Sequence, residues 1–307
     1  MRRPDTLAIV NERAGAGAMA DLFRRLEHDL EAALGPFDVA FTDHPGHATA
    51  LAREALVEGY TRVLVGGGDG TANEVVNGFF DPDAAPYAAR ARLGLISGGT
   101  GGDFRKTLGL RTREDALRAL VADVARPTDV GRLTYRGPDG ADVTRHFLNI
   151  ASFGLSGETD RFIPAFKRLG GKAAYVGATL RALWGWSNPR VRLTVDGAPS
   201  FDGPACTVAV ANGRYFGGGM MVCPDAEPDD GLFTVGILGD LGRLELVAQT
   251  GKIYSGRHVA HPKVLMLTAR DVYAESDSPV YLDVDGEALG QLPARFELLP
   301  GALMLIR

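Results

Sequence analysis

The sequence predicts an α/β domain on a parallel sheet, followed by a second domain of mostly antiparallel β-strands, over 307 residues. Three observations predict this. Up to about Thr128, short apolar β-branched runs alternate with amphipathic helical stretches, as in a doubly wound parallel sheet. Beyond Pro127 helical spacing becomes rare and short strands follow one another, many separated by Asp-Gly turns. The 40 glycines cluster in a few loops, at about twice the usual ~7% share, which points to close backbone approaches.

In the first domain, residues 1–128, Thr6 to Val10 reads as a strand, Asn11 to Gly17 as a loop and Met19 to Leu34 as an amphipathic helix. Phe37 to Phe41 is a second strand with Thr42 at its end, and Ala48 to Glu58 a second helix. Arg62 to Val65 opens the stretch that organises the chain, VLVGGGDGTANEVVNGFF. A buried strand runs into Gly66-Gly67-Gly68-Asp69-Gly70-Thr71, and a helix with Val75, Val76 and Phe79 on one face follows. Arg92 to Ile96 is a further strand that enters a second glycine loop, Gly98 to Asp103; helices begin near Phe104 and at Glu114.

The second domain, residues 129–294, reads as strands at Thr128 to Tyr135, Thr144 to Ile150, Arg190 to Val195, Thr207 to Ala211, Leu232 to Leu238, Lys263 to Thr268 and Val280 to Val284. Ser156 to Trp186 and Arg243 to Ser255 are helical. Arg295 to Leu298 and Leu303 to Ile306 are two last strands, and the segment from about 295 to 307 is expected to return to the first domain.

Strand, glycine turn, helix is a phosphate-binding plan: glycines let the backbone approach an anion, and the N–H groups of the turn and helix N-terminus face it. Asp69 would repel a phosphate directly, so it is expected to act through Mg²⁺ or to orient a donor. The remaining loop residues of this kind, Asn11, Gly15, Gly67 to Glu74, Thr100 and Asp103, all follow strand ends on one edge of the sheet, where open α/β sheets bind ligands. A dinucleotide fingerprint at Gly15-Ala16-Gly17-Ala18-Met19-Ala20, with Asp43 as its ribose acid, is a poor fit, because four residues separate it from its strand. No Walker P-loop is present.

Other classes are disfavoured. A net charge of -5 argues against a nucleic-acid binder. Cys206 and Cys223 read as small buried residues of a reducing compartment. No apolar run is long enough to span a bilayer, so a soluble, cytoplasmic protein is expected. The six histidines form no known catalytic pattern and read as surface or structural residues. Carboxylates remain. In YLDVDGEAL, alternation would place Asp283 and Asp285 on one strand face, with Glu287 at the turn; an ordinary hairpin explains the segment equally. Asp229-Asp230-Gly231 is either a turn or a turn that holds a cation. Arg161 to Arg192 carries seven basic residues, no acid, and interleaved aromatics, which suits either an anionic membrane surface or a basic helical face over a core.

With these residues in view, the sequence resembles the diacylglycerol-kinase catalytic family, and within it the bacterial soluble lipid kinases. GGGDGTANEVVNG carries the resemblance most specifically. LGLISGGTGGDFRKTLGL, PTDVGRL, NGRYFGGGMMVCPDAEPDDGLFTV, VDGE and FELLPGALMLI extend it over nearly the whole chain.

The resemblance implies a nucleotide-binding domain related to NAD kinases and phosphofructokinases, a β-sandwich-like second domain, and ATP and Mg²⁺ as cofactors. It implies nucleotide contacts from Asn11, Gly15, Thr42, Gly67, Gly68, Asp69, Gly70, Thr71, Asn73, Glu74, Thr100 and Asp103, with Asp129 matching a further family acid. Asp69 and Asp103 would organise catalytic Mg²⁺, and either Asp285 or Glu287 would be the base. Asp230, with the carbonyls of Glu227 and Leu232, matches a structural Mg²⁺ site. The activity implied is transfer of the γ-phosphate of ATP to a lipid hydroxyl, as of diacylglycerol, in phospholipid synthesis. A soluble-metabolite kinase and a silent nucleotide-binding membrane-surface protein are the alternatives. Peripheral contact with the inner membrane surface and a homodimer are left open. Two loops depart from the family pattern: Asn11-Glu12-Arg13-Ala14-Gly15 lacks the usual proline, and Gly102 stands where an asparagine is usual.

Overall fold

The computed structural model describes residues 4–15, 17–96, 102–137, 139–166 and 171–307. It comprises two compact units: one of residues 1–129 and 300–307, the other of residues 130–299.

The first unit holds β1 (Thr6–Val10), α1 (Ala18–Leu34), β2 (Asp38–Phe41), α2 (His47–Val57), β3 (Arg62–Gly66), α3 (Asp69–Phe79), α4 (Ala85–Ala88), β4 (Arg92–Ile96), α5 (Asp103–Thr107) and α6 (Arg113–Ala122). β5 (Ala125–Arg136) carries the chain out of this unit. β4, β3, β1 and β2 lie side by side in that order, all parallel, with Leu7 opposite Val63 and Val63 opposite Leu93. β1 and β3 are buried along their whole length, which is why they read as unbroken apolar runs. α1 turns Met19, Phe23, Leu26 and Leu30 onto the sheet at helical spacing. α2 and α3 pack so closely that a Cβ on Gly78 would meet Thr49 O at 2.5 Å. α6 starts with a reciprocal cap between Thr112 and Asp115.

The second unit adds β6 (Asp142–Phe147), β7 (Ile150–Gly154), α7 (Leu155–Phe166), α8 (Gly171–Gly185), β8 (Arg190–Val195), β9 (Ala198–Pro204), β10 (Thr207–Ala211), β11 (Phe233–Leu238), α9 (Arg243–Ile253), β12 (Val264–Ala269), β13 (Asp271–Ser276), β14 (Tyr281–Val284) and β15 (Glu287–Ile306). It is an antiparallel β-sandwich. Strands run β12-β11-β10-β7-β14-β15 in one path, while β13-β8-β9 and β5-β6 branch from β15. Its core stacks Phe147 on Phe233 and Phe153 on Phe296.

Three strand expectations need correction. The strand expected from Thr144 to Ile150 is two strands, β6 and β7, because the chain bends at Leu148-Asn149, where main-chain N–H groups bond a side chain (described below) instead of a neighbouring strand. β9 and β13 were not anticipated. β9 is largely exposed and β13 is polar along half its length, so neither shows an apolar run. The two strands expected at the C-terminus are one strand of 20 residues, β15. Its end re-enters the first unit beside β4, with Met304 opposite Arg92.

Candidate active site

In the first unit the parallel strands deliver their C-terminal loops to one edge. Asn11 follows β1: its N–H donates to Gly66 O at 2.8 Å, and its side-chain amide donates to Thr71 Oγ1 at 3.1 Å. The first loop is thereby tied to the glycine turn. Gly15 sits at φ +62°, a conformation that favours glycine. The Thr42 N–H donates to Val10 O at 3.0 Å and places Thr42 at the same edge.

The glycines of the turn do different work. A Cβ on Gly67 would lie 2.5 Å from the Thr71 side chain, so the turn closes only without one. A Cβ on Gly68 would meet nothing within 4 Å. Gly68 is the N-cap of α3 and supplies no side-chain cap. The helix N-terminus thus has no side-chain cap and, among the described residues, room beside Gly68, an arrangement that fits a phosphate.

Asp69 is the first residue of α3. Its Oδ2 accepts the N–H groups of Gly102, at 3.1 Å, and Asp103, at 2.8 Å, and so pins the start of α5. Burial pushes its carboxyl above the ordinary range against the pull of these bonds, and the Asp103 carboxylate pushes the same way. Asp103 is itself buried and bonded to Lys106 Nζ. Two neighbouring carboxyl groups that share one ammonium partner, Lys106, are a donor set that fits a divalent cation. Thr100, with Gly98, Gly99 and Gly101, lies outside the described residues.

Two other residues expected at the nucleotide turn inward. Glu74 Oε2 accepts the Ala48 N–H at 3.1 Å, so this carboxylate caps α2. Asn73 is buried and its Oδ1 accepts from Asn77 Nδ2 at 3.0 Å. Asp129, also buried, accepts the Gly301 N–H at 2.7 Å and holds the turn by which β15 re-enters this unit.

In the second unit the DVDGE segment departs from the alternation expected of it. β14 stops at Val284, and Asp285 stands in the turn at φ +49°, off the strand face that carries Asp283. Asp285 Oδ1 accepts the N–H groups of Asn149 (3.2 Å) and Ile150 (3.0 Å), and Oδ2 that of Leu148 (3.1 Å). Its carboxylate therefore creates the β6–β7 bend. Glu287 is half-buried, with Oε2 at 3.4 Å from an Arg145 guanidinium nitrogen. Asp283 is buried. Its Oδ1 accepts the Gly286 N–H at 3.0 Å, and its Oδ2 lies 2.9 Å from Ser152 Oγ.

The sequence did not single out Asp160 on α7. Burial, first, and the adjoining Asp283 carboxyl push the Asp160 carboxyl up to about 10. Burial likewise raises the Asp283 carboxyl. Ser152 Oγ also lies 2.8 Å from Ser156 Oγ, and Ser156 lines a cavity of about 300 Å³. The cavity is otherwise chiefly apolar, walled by α8 and α9 through Val176, Leu180, Leu183, Val247 and Tyr254, with Cys206 and Leu238 on the sheet side. Ser156 and Asp160, four apart on one helix face, were the signal available in the sequence. Cys206 and Cys223 are buried, and burial pushes both thiols up to about 12.

At the predicted structural Mg²⁺ site, the Leu232 N–H donates to Asp230 Oδ1 at 2.9 Å, and the Glu227 carboxylate lies 3.7 Å from Arg214.

Residues 5–133 match the diacylglycerol kinase catalytic domain, and residues 149–307 match the YegS C-terminal NAD kinase beta sandwich-like domain. The chain belongs to the diacylglycerol kinase family of lipid kinases. A diacylglycerol kinase of Staphylococcus carnosus is 34% identical over 83% of this chain and 79% of its own length. A YegS-like lipid kinase of Pseudomonas aeruginosa is 32% identical over 86% and 82%. Among solved structures, a protein of Bacillus anthracis str. Sterne assigned as a diacylglycerol kinase superposes with a TM-score of 0.75 at 27% identity, over 98% of this chain and 96% of that one. Yeast NADH kinase, at 11% identity and a TM-score of 0.52, shares the fold. Among the described residues, no helix is long and apolar enough to cross a membrane.

Proposed function

We propose that this chain is an ATP-dependent kinase that transfers the γ-phosphate to the hydroxyl of a lipid such as diacylglycerol. The observation that carries the reading is the apolar cavity in the second unit, which suits an acyl chain and which a kinase for a soluble nucleotide would not need. The nucleotide phosphates bind at the uncapped N-terminus of α3, beside Asn11, Gly15, Thr42 and the loop that contains Thr100. Asp69 and Asp103 hold Mg²⁺, which supplies positive charge for the phosphoryl oxygens when bound. Glu287 takes the proton of the lipid hydroxyl. Asp285, with both oxygens engaged by main-chain N–H groups, positions the turn that presents Glu287. Asp230 and the carbonyls of Glu227 and Leu232 form a structural cation site.

The acceptor reaches the cavity from a bilayer. Val176, Leu180 and Trp184 form an exposed stripe along α8, and Leu244, Val247 and Tyr254 are exposed on or just beyond α9; Trp184 is 82% and Leu244 86% accessible. Apolar contact outweighs charge in this docking. Each buried apolar side chain contributes about 1.5–3 kcal/mol at full burial, against about 1 kcal/mol per cation near an anionic surface. Moreover, Arg161, Arg190 and Arg192 of the basic segment are already paired with Glu158, Asp202 and Glu275–Asp277. Lys167 and Arg168 lie outside the described residues.

The experiment is transfer of labelled γ-phosphate from ATP, with Mg²⁺, to diacylglycerol in vesicles, to a total lipid extract, and to NAD. A labelled lipid is expected. Label in NAD alone would move the chain to the soluble-metabolite kinases, and ATP binding without transfer to any acceptor would make it a silent binder. Leu244→Asp with Trp184→Ala, both outside the cavity wall, should reduce vesicle co-sedimentation and raise the apparent KM for vesicle-borne lipid, with kcat on a short-chain soluble acceptor unchanged.

A further inference from the structure

We propose that Asp43, His44 and His47 form a binding site for a borderline first-row divalent cation, of which Zn²⁺ is the representative. The residues fall in five consecutive positions, Asp43-His44-Pro45-Gly46-His47, between the end of β2 and the start of α2. One carboxylate oxygen and one ring nitrogen from each histidine lie within 4.8 Å of one another. Among the described residues, no other group of histidine, cysteine or acidic side chains converges in this way.

The geometry brings the donors together on one side of the loop. Asp43 Oδ1 is the partner of both imidazoles, with His47 Nδ1 at 2.8 Å and His44 Nδ1 in closer contact. The two rings stack with centroids 4.8 Å apart and planes 6° from parallel. Gly46, at φ +83°, makes the left-handed turn that returns His47 alongside His44. The frame on the α2 side is firm, because Glu74 Oε2 caps the helix at Ala48 N and Thr49 Oγ1 bonds Glu74 O.

Ligands at about 2.0–2.2 Å from a four-coordinate cation lie roughly 3.4 Å from one another, so the widest donor separation, within 4.8 Å, shortens by at most about 1.4 Å, while Asp43 Oδ1, now 2.8 Å from His47 Nδ1, draws away from both rings. The rings splay about their Cβ–Cγ bonds so that both lone pairs meet the ion. Their exposure leaves room for this. His47 then gives up the bond its Nδ1 accepts from the Asp43 N–H, at 3.2 Å, or presents Nε2.

Donor chemistry selects the ion. Two imidazole nitrogens and one carboxylate oxygen suit Zn²⁺, Co²⁺ or Ni²⁺; Mg²⁺ prefers oxygen and keeps its waters. The site is therefore separate in kind from the Mg²⁺ of phosphoryl transfer, and none of its three ligands has a role in the kinase mechanism above. Three protein ligands leave coordination positions for water or an anion.

The test is Zn²⁺ binding to untagged protein in excess Mg²⁺, in competition with a chromophoric chelator, with Co²⁺ as a spectroscopic probe. One Zn²⁺ per chain is expected, with a Co²⁺ spectrum of mixed nitrogen and oxygen ligation. The double variant His44→Ala, His47→Ala should weaken binding by about 100-fold, as lost coordination costs at least what lost outer-shell support does. His47→Gln keeps an acceptor for the Asp43 N–H and separates loss of a ligand from loss of a loop contact; it should also weaken binding, with the circular dichroism spectrum unchanged. Stoichiometric Zn²⁺ failing to bind the wild type, or an affinity of the double variant within about twofold of wild type, would overturn the proposal and leave a hydrogen-bonded surface cluster.

Discussion

Asp69 and Asp285 make an instructive pair. Each stands at a glycine turn after a strand, and each collects main-chain N–H groups from a distant loop: Gly102 and Asp103 in the first case, Leu148, Asn149 and Ile150 in the second. Their surroundings differ. Asp69 is pressed against a second carboxylate, Asp103, and burial holds its carboxyl above the ordinary range. Asp285 has three donors shared over both oxygens. The lesson is that a carboxylate with donors on both oxygens builds architecture, while one buried against a second carboxylate is the candidate for a cation. Glu287, two residues beyond Asp285, is half-buried with an Arg145 guanidinium nitrogen at 3.4 Å, and is the carboxylate proposed above as the base.

The sharpest test of that contrast is Glu287→Gln against Asp285→Asn. The first should lower kcat by about 10²–10⁴ with an unchanged melting temperature, as loss of a general base does. The second should show itself first as instability, by about 2 kcal/mol or more in denaturant unfolding, because an amide cannot satisfy three N–H donors as a carboxylate does. A stable, inactive Asp285→Asn together with a fully active Glu287→Gln would reverse the assignment.

Asp69→Asn should behave in the opposite sense to Asp285→Asn. Phosphoryl transfer should fall by about 10²–10³, while the fold gains stability. The sign follows from linkage. The Asp69 carboxyl is raised above its ordinary 3.8, so the folded state keeps a proton that the unfolded chain has released. Its contribution is full below that ordinary value and is lost as pH rises through the folded one. The advantage of the asparagine in melting temperature should therefore grow with pH above about 4. If Asp69→Asn and Asp285→Asn shift melting in the same direction, the comparison fails.

The smallest effect should come from the turn itself. Gly68→Ala fills open space, so melting should hardly move, while ATP affinity falls by about tenfold if a phosphate sits there. Gly67→Ala strikes Thr71 at 2.5 Å and should lower both. Equal ATP binding by Gly68→Ala and wild type, measured calorimetrically, would remove the phosphate from the α3 N-terminus.

Much of this was legible in the chain. β1, β3 and β4 are buried on both faces, so their apolar runs declared a parallel sheet, and the glycine turn after β3 declared a close backbone approach. β9 and β13 went unseen because exposed or polar strands carry no apolar run. The β6–β7 bend went unseen because its cause, Asp285, lies about 136 residues away. The partners of Glu74 and Asn73 went unseen for a related reason: a polar residue beside a glycine loop looks the same in sequence whether it faces a ligand or bonds a neighbouring helix.

Local order, then, is what the sequence determined by itself: strand and helix identity, glycine turns, and the family those turns belong to. Each of these depends on residues within one element, where periodicity and backbone sterics act directly. Tertiary structure alone decided which carboxylates gather main-chain donors, that Asp160 and Asp283 adjoin in the interior, and that Ser156 opens onto an apolar cavity. Those facts are set by desolvation and by partners brought from elsewhere in the chain, and neither is written in the neighbouring residues.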